Sequence, residues 1–167
     1  MAKKSKASKK TAKKKAAPKK KAAPKKKAAA KKSAAPKKKA AAFGLQSVSP
    51  GFTANDAAAS IQWYCDVLGF TLAEKWERDG QFLGGRIARE QVSINIGQDD
   101  WKMGRDRVKG AACRMYISTG PGIDEYAASI KAAGGVLDGD VTDGWGMRVF
   151  SINDPDGFKL TFMTPVK

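Results

Sequence analysis

Side chains that usually carry chemistry are thinly represented in this 167-residue chain, and one is missing altogether: there is no histidine. Its absence removes the commonest imidazole metal ligand and the usual proton shuttle near neutral pH. Carboxylates alone can hold a hard cation. Asp99, Asp100 and Asp106, however, fall in the charge-rich run DDWKMGRDRVKG at 99–110, where solvation is the expected role. Two cysteines, Cys65 and Cys113, are too few for a disulfide scaffold and read as thiols in a reducing cytosol. Cys113 adjoins Arg114, a cation that favours a thiolate, but alternation along a strand sends the two side chains to opposite faces. Arg114 can grip a carboxylate or phosphate through two parallel bonds, or can pair with a neighbouring carboxylate. Trp101 and Trp145 sit in or beside loops, where indoles either wall a ligand or cover a core edge. Asp154 and Asp156, in the turn DPDG, are expected only to bond their own backbone.

The other chemically active group is lysine, and it is concentrated at one end. Of 32 basic residues, 19 lie in residues 1–43, all lysine, with no acidic residue among them. Residues 44–167 hold the remaining 13 basic and all 16 acidic residues, for a net charge of −3. The sequence pI of 9.9 therefore describes neither part. The unit AAPKKK occurs at 16–21, 22–27 and 34–39. With almost nothing to bury, residues 1–43 are expected to be a disordered Lys/Ala/Pro-rich polycationic tail. In composition the tail resembles those of linker histones and bacterial histone-like proteins. Such a tail binds nucleic acid or another polyanion by releasing counterions, without reading bases. The lysines assigned to this contact are Lys13, Lys14, Lys15, Lys19, Lys20, Lys21, Lys25, Lys26, Lys27, Lys37, Lys38 and Lys39. A solubilising spacer is the bland alternative. No apolar run reaches the ~18 residues of a membrane span. The Lys-rich start also lacks the apolar segment of a secretory signal, so a cytoplasmic protein is expected, nucleoid-associated where the tail engages DNA.

The elements that must position these residues occupy 44–167. Periodicity predicts a strand at 46–53, a helix at 56–68 started by Asn55 or Asp56 and ended by Gly69, and strands at 70–77, 81–89 and 91–98. After the charged loop the order repeats. A strand at 112–118 is followed by a helix at 123–133 capped by Asp124, a weak strand at 136–140, and strands at 146–153 and 158–164. An α+β domain of two βαβββ units, about 46–98 and 111–165, is the resulting expectation.

QWYCDVLGF at 62–70 resembles the FYxxVLGF motif, and DPDGFKLTF at 154–162 the DPDGNxxEL motif, of the vicinal-oxygen-chelate superfamily of glyoxalases, bleomycin-resistance proteins and dioxygenases. The resemblance covers 46–165. It implies eight strands forming a curved sheet around a cleft, often with two such units joined across chains, so a homodimer is expected. In metal-dependent members, His, Gln or Glu ligands stand on the first and last strand of each unit. Carried over by motif spacing, those positions fall at Ser49, Asn95, Arg114 and Thr161, none a good ligand, so no metal or other cofactor is expected. On the first strand, alternation groups Ser49, Gly51 and Thr53 on one face, where small side chains leave room for a ligand. The expected ligand-binding set is Ser49, Thr53, Asn95, Trp101, Arg114, Trp145 and Thr161, with no catalytic residue assigned.

The leading functional expectation is a metal-independent small-molecule-binding protein, for which the resemblance implies sequestration of a toxin or antibiotic, tethered by its tail to DNA or another polyanion. One alternative is a nucleoid-associated DNA-binding protein using the fold as a dimerisation scaffold. Another is a metal-free isomerase or lyase, for which the sequence offers no paired acid and base.

Overall fold

A computed structural model describes residues 47–166. The tail and its twelve assigned lysines lie outside the described residues. The first helix, α1 (Ala57–Leu68), forms where its ends are chemically marked. Asp56 is extended and its side chain accepts from Ala59 N, while Gly69, in the left-handed region at φ 67°, returns its N–H to Tyr64 and Cys65 carbonyls. Ala57, Ile61, Tyr64 and Leu68 form the buried stripe. Around it run β1 (Gly51–Ala54), β2 (Thr71–Arg78), β3 (Gln81–Arg89) and β4 (Val92–Gln98). They form a four-stranded sheet in the order β1-β4-β3-β2, with β1 parallel to β4. The second repeat is built alike from β5 (Arg114–Ser118), α2 (Ile123–Ala132), β6 (Thr142–Gly144), β7 (Met147–Asn153) and β8 (Lys159–Pro165), in the order β5-β8-β7-β6.

The eight strands thus pair as two four-stranded sheets, and the fold is α+β as expected. Three local readings need correction. The first strand begins at Gly51 rather than 46, because Pro50 has no N–H to donate to a ladder and only its carbonyl is used, by Asn95 N at 2.9 Å. Asp124 does not cap α2. Gly122 stands at the cap with no side-chain bond, and Asp124 accepts instead from Arg148 Nε at 2.6 Å and Nη2 at 2.7 Å. The weak strand predicted at 136–140 is a single bridge, Leu137 to Ile152, and β6 lies further on at Thr142–Gly144.

Turn chemistry explains where β6 lies. Trp145 (φ 49°) and Gly146 (φ 73°) are both left-handed, as a two-residue type I′ hairpin demands, and this turn fixes the register of β6 on β7. It also puts Trp145 at the tip, fully exposed. An indole gains nothing from that backbone geometry. Trp145→Asn is therefore expected to raise the unfolding free energy by about 1 kcal/mol, measured by urea denaturation. A loss of stability would show that the ring is packed in solution.

One hydrophobic cluster joins the two repeats. Phe52 of β1 stacks on Phe158 at the entry to β8, with ring centroids 4.2 Å apart. The DPDG turn does more than bond its own backbone. Tyr64 Oη donates to Asp154 Oδ2 at 2.8 Å, and Asn55 N and Ser60 Oγ donate to Asp156 at 2.8 and 2.7 Å, so both aspartates reach from the second repeat to the first.

Candidate functional site

Each sheet buries one face beneath its helix and leaves the other open. Phe52, Ala54, Ile94, Ile96 and Ile87 are buried, so the alternate residues Thr53, Asn95 and Arg86 take the open face of the first sheet. In the second sheet Ile117, Leu160, Phe162, Phe150 and Ile152 are buried, leaving Arg114, Tyr116, Thr161 and Ser151 on the open face.

The register moves two of the positions expected from motif spacing. Beside Asn95 stands Gly51, not Ser49, and beside Thr161 stands Tyr116, not Arg114. Ser49 lies just before β1, where its hydroxyl meets Ser93 Oγ at 2.7 Å. Thr161 is buried and shares a hydroxyl bond with Ser151 at 2.8 Å. Arg114 lies one strand-pair step further along, opposite Lys159. A glycine, an amide, a phenol and a hydroxyl are no ligand set for a divalent metal, and the residues do not fit the metal of the metal-dependent relatives. Glu74, a carboxylate beside Arg86 on the first sheet, is taken by that guanidinium at 3.3 Å.

Arg114 borders a cavity of about 380 Å³ with Tyr116, Asn153, Lys159 and Cys113. β5 begins at Arg114, so strand alternation does not extend to Cys113, and both residues edge the same space. Lys159 is paired with Asp138, which its ammonium holds below the usual carboxylate range. Tyr116 is more than half exposed. Tyr116, Asn153 and Lys159 were not singled out in the sequence. Counting two residues on from Arg114, to the same face, would have found Tyr116.

The two loop tryptophans are not on these open faces. Trp145 is at the β6–β7 tip, near the end of β8 where Met147 pairs with Pro165. Arg114 pairs with Lys159 at the start of that strand, about 20 Å away at ~3.3 Å per residue. Trp101 follows β4 and lines a separate cavity of about 580 Å³ with Asp56, Ala58 and Phe82. Arg105 lies over its ring at 4.0 Å, and its buried Nε1 has no partner among the described residues.

The loop at 99–110 was expected to be solvated, and the structure corrects this for three of its charges. Asp99 is 4% exposed. It accepts from Trp101 N at 3.0 Å and pairs with Arg107 at 2.7 Å and Lys109 at 3.2 Å. The Lys109 side chain is 1% exposed and also bonds Asn55 Oδ1, fastening the loop to the end of β1. Burial works against the Asp99 carboxylate. The Trp101, Lys109 and Arg107 bonds outweigh it and hold the pKa below the ordinary value. Asp99 is thereby spent on structure. In the DPDG turn, burial pushes Asp154 up, against the bonds from Phe158 N, Tyr64 and Asp156 N.

This architecture agrees with the sequence comparisons. The model of the Glyoxalase/Bleomycin resistance protein/Dioxygenase superfamily matches residues 46–162, and the chain belongs to that family. It is 28% identical over 142 residues to the bleomycin resistance proteins of Geobacillus stearothermophilus and Staphylococcus aureus, an alignment covering 74% of this chain and 98% of each relative. Among solved structures it shares the fold of TioX from Micromonospora sp. ML1, with TM-score 0.59, 18% identity, and 72% of this chain and all of that one covered. It also shares the fold of TnmS3, an antibiotic binding protein from Streptomyces sp. CB03234, with TM-score 0.57, 20% identity, and 74% and 99% coverage.

Proposed function

We propose that the chain binds a small organic molecule on the open sheet faces without a metal and holds it rather than transforming it. The observation that carries this reading is the cavity around Arg114, lined also by the Tyr116 phenol, the Asn153 amide and Lys159, whose ammonium is already engaged by Asp138. The names of the bleomycin-resistance and antibiotic-binding relatives support an antibiotic-like ligand. Thermal-shift screening with aromatic acids, phosphonates and glycopeptide antibiotics is the entry experiment. For a ligand so found, Arg114→Ala is expected to weaken binding by about 1.5–3 kcal/mol through loss of a charge-assisted hydrogen bond. A variant that loses stability while keeping full affinity would make Arg114 structural.

A second copy of the chain is the proposed protein partner, supported by the exposure of Leu72 on β2 and Tyr116 on β5. Among the described residues no helix is long and apolar enough to cross a membrane. The 19 lysines of residues 1–43, with no acidic residue among them, favour a polyanion such as DNA as the partner of the tail.

A further inference from the structure

The two repeats correspond through their ladders, and the correspondence exposes a difference between their junctions. Gly51–Asn95–Arg86 in one sheet matches Tyr116–Thr161–Ser151 in the other. Continuing in register, Phe52 matches Ile117, and the pair Arg89–Val92 matches Asp154–Phe158, whose backbones are joined by Asp154 N to Phe158 O at 2.9 Å. Three buried pairs match across the sheets, Ile94 with Leu160, Ile96 with Phe162 and Ile87 with Ile152, whereas Val92 and Arg89 are half-buried where Phe158 and Asp154 are buried.

At the junction beside α1 the space is filled. The Phe52–Phe158 stack occupies it, and the Asp154 and Asp156 carboxylates accept the polar groups of α1. At the junction beside α2 the stacked aromatics become Ile117 and Val92, and the place of Asp154 is taken by a cation, Arg89. A cavity of about 320 Å³ is left, with apolar walls from Phe70, Val92, Ile117 and Phe162. That volume lies at the lower end of the ~300–1,000 Å³ range of small-molecule sites. Arg89 is held rather than loose. Its Nη1 donates to Leu68 O at 2.5 Å, and its guanidinium lies over Tyr126 at 4.6 Å, whose hydroxyl donates to the same carbonyl at 2.9 Å.

We infer that this second junction is a ligand site, distinct from the open sheet faces, for a small organic monoanion: a carboxylate paired with Arg89 and an aromatic or branched apolar body in the space that Phe158 fills at the other junction. A monocarboxylate suits the charge balance better than a phosphate. Glu90 also lines the cavity, and Glu125 Oε2 lies 3.5 Å from where a side chain on Gly122 would begin, so a second negative charge on the ligand would be repelled. Arg89 supplies the anchor by charge-assisted hydrogen bonds.

The test is calorimetric titration of the full chain, at salt high enough to screen the lysine tail, with phenylacetate, phenylacetamide and phenyl phosphate. The expected result is saturable binding of one phenylacetate per chain and at least tenfold weaker binding of the amide. Val92→Phe, which restores the counterpart of Phe158, should abolish binding, and Arg89→Gln should weaken it at least tenfold. No saturable binding, equal binding of acid and amide, or undiminished binding by both junction variants would overturn the inference. Tighter binding of phenyl phosphate would overturn the monoanion assignment, and loss of phenylacetate with Arg114→Ala would place the acid on the open face instead. The acid–amide comparison needs no variant, so the inference stays testable if either substitution impairs folding.

Discussion

Removing residues 1–43 is expected to abolish duplex-DNA binding while leaving the fold of 44–167 intact. The tail carries 19 positive charges and the remainder a net −3, so the electrostatic attraction to phosphate lies in the tail. Each phosphate neutralised releases condensed counterion, and log affinity falls with log salt at about −0.9 per contact. With about 8–10 lysines engaged at once, the slope for the full chain should be near −7 to −9, equivalent to a loss of several orders of magnitude between low and moderate salt. Without aromatic or arginine side chains in the lysine repeats there is no stacking platform and little base reading, so two unrelated duplexes should bind alike. Equal DNA affinity with and without residues 1–43, or a strong preference for one duplex, would remove the tail from the polyanion-binding role.

Phe158→Ala is expected to lower the unfolding free energy of the full chain by about 3–5 kcal/mol, the usual cost of deleting a buried aromatic side chain. Phe158 is 8% exposed and stacked on Phe52 at 4.2 Å, in the junction that also holds the Tyr64–Asp154 bond. The corresponding Val92→Ala removes a smaller side chain beside an existing cavity, so its cost should be less than half as large. Urea denaturation of both variants measures the difference. A Phe158→Ala cost below about 1 kcal/mol would mean that the repeats are held together elsewhere.

The sequence shows most plainly what local chemistry determines. Asp56 and Gly69 mark the ends of α1, and the sequential repetition of strand, helix and three strands is visible without coordinates. β6 was misplaced because its position depends on a left-handed Trp145–Gly146 turn, and a tryptophan at φ 49° is not a residue from which such a turn is read. The cap of α2 was misassigned because Asp124 satisfies the usual local rule but is claimed by Arg148, 24 residues away. The site suffered from the same kind of long-range effect. Which residues flank Asn95 and Thr161 is fixed by parallel pairing of β1 with β4 and β5 with β8, and a two-residue slip keeps the face while changing the neighbour, so Ser49 and Arg114 stood in for Gly51 and Tyr116. The burial of Lys109 against Asp99 could not be anticipated from a run of alternating charges, which composition reads as solvated.

Ligand binding in the presence of a chelator is the most direct test of metal-independent binding on the open faces. The full chain, dialysed against excess EDTA, is titrated with a compound identified in the thermal-shift screen, and the titration is repeated with Arg114→Ala. The expected result is the same saturable affinity before and after chelation, with Arg114→Ala weaker by roughly ten- to a hundredfold. Binding that disappears with EDTA and returns on adding a stoichiometric divalent metal would contradict it.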